Sequence, residues 1–143
     1  MANWDTRFLK LAKHISTWSK DPSTKVGAVI TDINNRIISV GYNGFPQGIL
    51  DTTDRLNDRE LKYKLTLHAE ENAIAFGDFP YNGYGYYMYI WPYPPCAHCA
   101  AQIIQKKCFS IIYSPNNIPE RWKESINLAS QMFKEAGVTQ TLV

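Results

Sequence analysis

The stretch GYYMYIWPYPPCAHCAAQIIQKKCFSIIYS, residues 85–114, contains the pattern that decides the fold of this 143-residue chain. Its aromatic first segment, residues 85–91, is typical of a β-strand, and residues 109–114 predict a second strand. Two prolines before Cys96 predict a helix over 96–107, because proline is well suited to the first turn of a helix. A strand, a helix and a second strand in this order are typical of an α/β protein.

The alternation of helices and strands continues outward from this stretch. In the N-terminal segment, apolar residues at three- and four-residue steps predict an amphipathic helix with one buried face. That predicted face holds Trp4, Phe8, Leu11, Ile15 and Trp18. The predicted strands cover 26–32, 36–44, 85–91, 109–114 and 138–143, and the predicted helices cover 4–18, 68–76, 96–107 and 119–137.

The order of these elements predicts the architecture. Asn34 and Asn35 join the first two strands, which predicts a hairpin. Residues 45–66 are expected to be a loop followed by a helical extension. We therefore predict a single domain over residues 1–143 with a three-layer α/β/α fold, in which a central mixed five-stranded sheet carries helices on both faces.

Composition and charge give little support to several classes of function. The chain has 15 basic and 13 acidic residues, and it lacks the basic cluster of a nucleic-acid-binding protein. No apolar run reaches the length of a membrane span, and the N-terminus lacks the apolar core of a signal peptide. Three cysteines do not form a disulfide framework in a chain of this size. We therefore expect a cytoplasmic protein that binds neither nucleic acid nor membrane.

Two short motifs, LHAEENAIAFG and PYPPCAHCA, hold the residue types of a metal centre. Cys96 and Cys99 are three residues apart, so on a helix they share one face and can bind one ion. Zinc prefers thiolate and imidazole ligands in a tetrahedral array, and His68 is the best third ligand. Three protein ligands leave a fourth position for water, and Glu70 beside that water would be a natural proton shuttle.

The motifs alone leave two other classes of protein open. C-x-x-C is equally suited to a structural zinc module, but such a module has four protein ligands. The third cysteine, Cys108, lies beyond the helix that Cys96 and Cys99 begin, so it is not a convincing fourth ligand. A thioredoxin-like redox role also uses C-x-x-C, but it leaves His68 and Glu70 without a function.

Four segments of the chain match sequence blocks of one enzyme family. H-A-E at 68–70 and P-C-A-H-C at 95–99 match the zinc deaminase signature H-x-E…P-C-x-x-C. Further blocks are SKDPSTKVGAVI at 19–30, GYNGFPQG at 41–48 and HAEENAI at 68–74. On these segments the chain resembles the deoxycytidylate deaminases of the cytidine deaminase superfamily, and the resemblance covers most of its length.

The resemblance implies a reaction and a role for each residue of the two motifs. The implied reaction is hydrolytic removal of the 4-amino group of dCMP, which gives dUMP and ammonia. Zinc held by His68, Cys96 and Cys99 would activate water, and Glu70 would move the protons.

Substrate contacts to the sugar and base are also implied. Asn43 resembles the family asparagine that holds the deoxyribose hydroxyl. The backbone at Ala69 and around Pro94 is expected to contact the base edge, and Tyr93 or Trp91 to stack on the ring.

The 5′-phosphate requires cationic or N–H donors. Lys25, together with Ser23 and Thr24 in the loop before the first strand, is one candidate group. Arg121 is the other, and spacing does not rank them.

Four polar or sulfur-bearing residues near the motifs remain to be placed. We expect His98 to turn away from the metal and Cys108 to be a small buried side chain. Glu71 is expected to face solvent or to pair across a subunit contact. For Asn72, orientation of the zinc ligands and simple surface polarity are both open.

The resemblance further implies a homo-hexamer that dCTP activates and that dTTP inhibits with Mg²⁺. Residues 41–48 and 45–66 are where we expect the effector to bind. Residues 45–66 contain neither histidine nor cysteine, so one zinc ion per chain is expected.

Overall fold

The computed structural model describes residues 3–78, 85–114 and 118–143. The strands within these ranges are β1 Gly27–Thr31, β2 Ile37–Tyr42, β3 Tyr86–Trp91, β4 Cys108–Tyr113 and β5 Thr139–Leu142. The helices are α1 Trp4–Ser16, α2 Thr53–Asn57, α3 Arg59–Leu65, α4 Ala69–Phe76, α5 Ala97–Gln105 and α6 Glu120–Ala136. None of these helices is both long enough and apolar enough to cross a membrane.

The five strands form one mixed sheet with the order β2-β1-β3-β4-β5. Strand β1 runs antiparallel to both β2 and β3, whereas β3, β4 and β5 are parallel. The predicted hairpin is present, and Asn35 adopts a positive φ of 62° in its turn, a conformation that asparagine tolerates. The predicted fold class is confirmed.

Alternate residues of the central strands face two different helical layers, as the period of two in a strand requires. Val29, Tyr89 and Ile112 pack against α1 on one face. On the other face Ala28, Ile30, Met88, Ile90 and Ile111 pack against buried residues of α4, α5 and α6. The sheet therefore lies between α1 and a layer that holds both helices of the predicted metal centre.

Gly41 on β2 sets how closely α4 can approach the sheet. A Cβ atom at this position would lie 2.4 Å from the carbonyl oxygen of Ala69 and 2.4 Å from the amide nitrogen of Ala73. Both atoms belong to the helix backbone, which cannot move aside as a flexible side chain can. The absence of a side chain at Gly41 thus brings the first turn of α4 against the sheet.

The buried face of α1 differs from the prediction at both of its ends. Phe8 and Ile15 are buried, but Trp4 and Trp18 are 42% and 51% exposed. The helix ends at Ser16, so Trp18 lies beyond it and no longer follows the helical period. Trp4 lies in the first turn, where its ring stacks on Phe8 at a centroid distance of 5.7 Å.

Candidate active site

The first turns of α4 and α5 bring together the three sulfur and nitrogen donors of the two motifs. His68 is the N-cap residue of α4, Cys96 is the N-cap residue of α5, and Cys99 lies in the first turn of α5. The Nδ1 atom of His68 is 3.2 Å from Sγ of Cys99 and 3.5 Å from Sγ of Cys96. The positive ends of both helix dipoles therefore point toward one small volume.

The spacing of these donor atoms fits a tetrahedral zinc ion. With bond lengths of about 2.3 Å to sulfur and about 2.1 Å to nitrogen, two tetrahedral ligands are about 3.6 Å apart. The ligand atoms of His68, Cys96 and Cys99 all lie within 4.8 Å of one another. Among the described residues this group has three members, as in a zinc site that keeps one position for water.

Hydrogen bonds among the three donors shift their pKa values. A hydrogen bond from Cys99 lowers the pKa of the Cys96 thiol to about 4, and the hydrogen bond to Cys96 raises the pKa of His68 to about 9. The hydrogen bond between Cys99 and Cys96, together with burial, raises the pKa of the Cys99 thiol. Since zinc binds thiolates and neutral imidazole, metal binding would release protons from His68 and Cys99.

Glu70 lies in the same first turn of α4 and is 4% exposed. Burial raises the pKa of its carboxyl group, and the positive charge on His68 opposes this shift. A carboxyl group with a raised pKa, beside a metal site, is suited both to accept and to return a proton.

A single cavity contains most of the predicted site residues. It is lined by the candidate ligands His68 and Cys96, by Glu70, and by predicted substrate-contact residues from five segments. These predicted contacts are Ser23, Thr24, Asn43, Ala69, Tyr93, Pro94 and Arg121. The structure therefore brings together residues that are up to 98 positions apart in the sequence, from 23 to 121.

Two of the predicted contacts lie outside the lining of this cavity. Lys25 is exposed, and its Nζ atom donates to the carbonyl oxygen of Ser19. Trp91 lies on the face of the sheet that packs on α1, where Lys13 Nζ is 5.6 Å from its ring centroid. Of the paired alternatives, the structure thus places Tyr93 and Arg121, rather than Trp91 and Lys25, at the cavity.

Asn43 is buried and holds the loop before β1 in place. Its Oδ1 atom accepts from the backbone N–H of Val26 at 2.9 Å, and its Nδ2 atom donates to the carbonyl oxygen of Thr24 at 2.9 Å. An amide nitrogen carries two N–H donors, so one donor remains for a hydroxyl group in the cavity.

Sequence reasoning missed several residues that line the cavity. Lys62, Tyr63 and Thr66 come from α3 and the residue after it, within the segment that was predicted to be a loop followed by a helical extension. Trp122 of α6 also lines the cavity, with its ring 5.9 Å from that of His68 at an interplanar angle of 90°. Only the helical extension predicted within 45–66 could have indicated the α3 residues.

Cations and hydroxyl groups concentrate on one part of this lining. Arg121 Nη2 is 3.5 Å from Thr24 Oγ1, and Arg59 Nε donates to the hydroxyl oxygen of Tyr63 at 3.2 Å. The hydrogen bond from Arg59, with the charges of Arg121 and Lys62, lowers the pKa of Tyr63 despite partial burial. This positive local potential favours an anionic group on the ligand.

Lys62 forms a buried ion pair that ties α3 to the loop before β1. Its Nζ atom is 3.1 Å from Asp21 Oδ1 and 3.3 Å from Ser23 Oγ, and both partners of the ion pair are buried. Asp21 Oδ1 also accepts the backbone N–H groups of Ser23 and Thr24. Helix α3 is therefore fixed to the loop that supplies one wall of the cavity.

Replacing Lys62 by Met is expected to lower the free energy of unfolding by about 3–5 kcal/mol, because it leaves the Asp21 carboxylate buried without its cation. Urea unfolding would measure this loss. Lys64→Met on the same helix is the control, since the Lys64 side chain is 70% exposed and its pair with Glu60 is a surface contact. Equal stability of the two variants would contradict this role for Lys62.

The remaining residues near the motifs divide into exposed and buried groups. His98 turns away from the metal donors with a side chain that is 75% exposed, and Cys108 is buried, as expected. Asn72 Nδ2 donates to the carbonyl oxygen of Tyr42 at 2.8 Å, so it links α4 to β2. The expectation that Glu71 faces solvent is wrong, because its side chain is only 15% exposed and is hydrogen-bonded within the chain. Its pairing across a subunit contact stays a prediction.

Comparison with protein families gives a match over most of the chain. Residues 2–114 match the model of the cytidine and deoxycytidylate deaminase zinc-binding region. A relative described as an uncharacterized deaminase in the luxG 3′ region of Aliivibrio fischeri is 46% identical over 99% of this chain and 94% of its own length. The deoxycytidylate deaminase of Mus musculus is 36% identical over 95% of this chain and 77% of its own length.

Solved structures show the same fold. The dCMP deaminase of the cyanophage S-TIM5, in complex with dCMP and dUMP, superimposes with a TM-score of 0.74 at 24% identity. The match covers 96% of this chain and 95% of the phage chain. At this identity the likeness supports the fold alone.

Proposed function

Since this chain belongs to the cytidine and deoxycytidylate deaminase family, we propose that it hydrolyses dCMP to dUMP and ammonia. The observation that carries the proposal is the group of three donors His68, Cys96 and Cys99, whose members His68 and Cys96 line one cavity together with buried Glu70. The same cavity has a cationic wall, formed by Lys62 and Arg121. We propose that residues 1–143 form one catalytic domain.

His68, Cys96 and Cys99 would hold one zinc ion, whose donor spacing their atoms fit. When bound, zinc supplies Lewis acidity that lowers the pKa of water toward neutrality. Glu70 takes a proton from the attacking water and delivers it to N3 of the pyrimidine. After the water oxygen has bonded to C4, Glu70 takes the second proton from that hydroxyl group and passes it to the 4-amino group as the C4–N bond breaks, so that water and dCMP give ammonia and dUMP.

The lining of the cavity supports positions for the sugar and the base. The second N–H of Asn43 would donate to the deoxyribose hydroxyl, while its other donor holds Thr24. Tyr93 and Trp122 offer aromatic surfaces to the ring. The backbone at Ala69 and Pro94 would contact the polar edge of the base.

The cationic wall supports a nucleotide rather than a nucleoside. Arg121 and the hydroxyl groups of Thr24 and Tyr63 can donate to a 5′-phosphate. Lys62 is already paired with Asp21, and Lys25 is turned to Ser19. Arg121 is therefore the main phosphate ligand in this proposal.

Replacing Arg121 by Ala is expected to reduce kcat/KM for dCMP by about tenfold to a hundredfold, because a hydrogen bond to a charged group contributes about 1.5–3 kcal/mol. Turnover of deoxycytidine, which has no phosphate, is expected to be unchanged. Lys123→Ala removes the same charge from an exposed position of the same helix and is the control. An equal loss with both substrates would contradict a phosphate contact.

Ammonia release from dCMP, deoxycytidine, CMP and dCTP tests the proposal as a whole. We expect dCMP to be the preferred substrate. Preference for a nucleoside, or turnover of none of the four by zinc-loaded protein, would overturn the proposed substrate. A deaminase of the same fold acting on another base, nucleoside or tRNA would then be the alternative.

The same assay with dCTP, or with dTTP and Mg²⁺, tests the nucleotide control that we propose for the 41–48 and 45–66 segments.

The exposed side chains of Trp18, Ile37 and Tyr42 support an assembly of several chains, for which we propose a homo-hexamer. Light scattering would measure its size. The three free cysteines are consistent with the reducing cytoplasm that we propose as its location.

A further inference from the structure

Glu71, the third residue of α4, places its carboxylate between the two helices that carry the metal donors. Its Oε1 atom accepts the backbone N–H of His68 at 3.0 Å. A carboxylate at the third helical position commonly satisfies the N-cap N–H in this way. The contact fixes the backbone of His68 at the start of α4.

The second carboxylate oxygen of Glu71 reaches the other helix. Oε2 accepts from Nε2 of Gln102 at 3.0 Å. Gln102 lies on α5, three residues after Cys99, so it shares a helix face with that cysteine. Nε2 of His98, also on α5, is 3.6 Å from the same oxygen, but this side chain is largely exposed.

One side chain thus spans the gap between the two halves of the site. His68 belongs to α4, while Cys96 and Cys99 belong to α5, and the donors of the two helices are 3.2 and 3.5 Å apart. Zinc binds sulfur at about 2.3 Å and imidazole nitrogen at about 2.0–2.1 Å, and these distances vary by only about 0.2 Å. The relative position of the two helix starts therefore decides how well the donors fit the ion.

We propose that Glu71 is a positioning residue which, through Gln102, fixes the spacing between the His68 and cysteine halves of the metal site. Partners beyond the direct ligands contribute about tenfold to a hundredfold to metal affinity in proteins. The role is distinct from that of Glu70, because both oxygens of Glu71 are bonded to protein donors. The inference rests on the metal site of the proposed function.

Zinc affinity, measured by competition with a chromophoric chelator, tests this role. Glu71→Ala is expected to weaken zinc binding by about tenfold to a hundredfold. Gln102→Ala keeps the bond to His68 and removes only the connection to α5, and it is expected to weaken binding by a smaller factor. The double variant is expected to bind zinc no more weakly than Glu71→Ala alone, because both changes remove one shared connection.

Two further variants separate positioning from general stability. Glu71→Gln can still accept the His68 N–H, and its amide can bond Gln102 after rotation of that side chain, so affinity is expected to return to within about threefold of the wild type. Glu135→Ala, at an exposed position of α6, is the control for loss of a carboxylate.

If Gln102→Ala binds zinc as tightly as the wild type, the proposed role of the Glu71–Gln102 contact is overturned. Glu71 would then act only as a cap of α4. If Glu71→Ala does not fold, Gln102→Ala alone decides the question. A wild-type protein that binds no zinc would instead contradict the proposed metal site itself.

Discussion

Replacing Glu70 by Gln is expected to lower kcat for dCMP by at least about 10²–10⁴-fold, the usual contribution of general acid–base catalysis. Gln has nearly the shape of Glu but cannot take and return a proton. Glu70 is buried beside the metal donors, so solvent water does not readily take over its proton transfers. Zinc content is expected to remain at about one ion per chain, because Glu70 is outside the group of three donors.

Steady-state ammonia release and metal analysis on the same sample would check this expectation. Glu60→Gln, at an exposed position of α3, is the control for a carboxylate-to-amide change. Loss of zinc together with loss of activity would show that Glu70 has a structural role. Retention of activity in the variant would contradict its role as the proton shuttle.

Replacing Cys99 by Ser is expected to remove both zinc and activity. Cys99 is completely buried, and its Sγ atom is the nearer of the two sulfurs to Nδ1 of His68. A serine hydroxyl is a much poorer ligand than a thiolate for zinc. Two remaining donors do not complete the set of three that catalytic zinc sites have, so turnover is expected to fall to the uncatalysed background.

Cys108→Ser is the matched control for this substitution. Cys108 is also buried, but its Sγ atom contacts the backbone oxygens of Tyr86 and Ser110 rather than the metal donors. Metal analysis is expected to find zinc in this variant and none in Cys99→Ser. One zinc ion per chain in Cys99→Ser would contradict the assignment of its ligands.

The features that could be predicted from sequence are those set by local chemistry. Helix starts at the two motifs follow from the prolines before Cys96 and from the residue pattern after His68, and they are present in the structure. The period of apolar residues similarly predicted the order of strands and helices. Local patterns of this kind are sufficient to place Cys96, Cys99 and Glu70 at the starts of helices.

Other features depend on contacts between distant parts of the chain, which no local pattern contains. Lys62 and Asp21 are 41 residues apart and pair only after α3 folds over the loop before β1. Glu71 and Gln102 are 31 residues apart, and their contact requires the two helices to meet. Trp122 follows the apolar period of α6, and only the position of that helix decides that its ring borders a cavity.

Restoration of activity by zinc tests the central claim most directly. Protein stripped of metal with a chelator would be titrated with zinc, and ammonia release from dCMP would be measured at each step. We expect no turnover without zinc and a linear rise that ends at about one ion per chain. Turnover of dCMP that is unaffected by metal removal would contradict the claim. Protein that holds one zinc ion per chain and does not turn over dCMP would also contradict it.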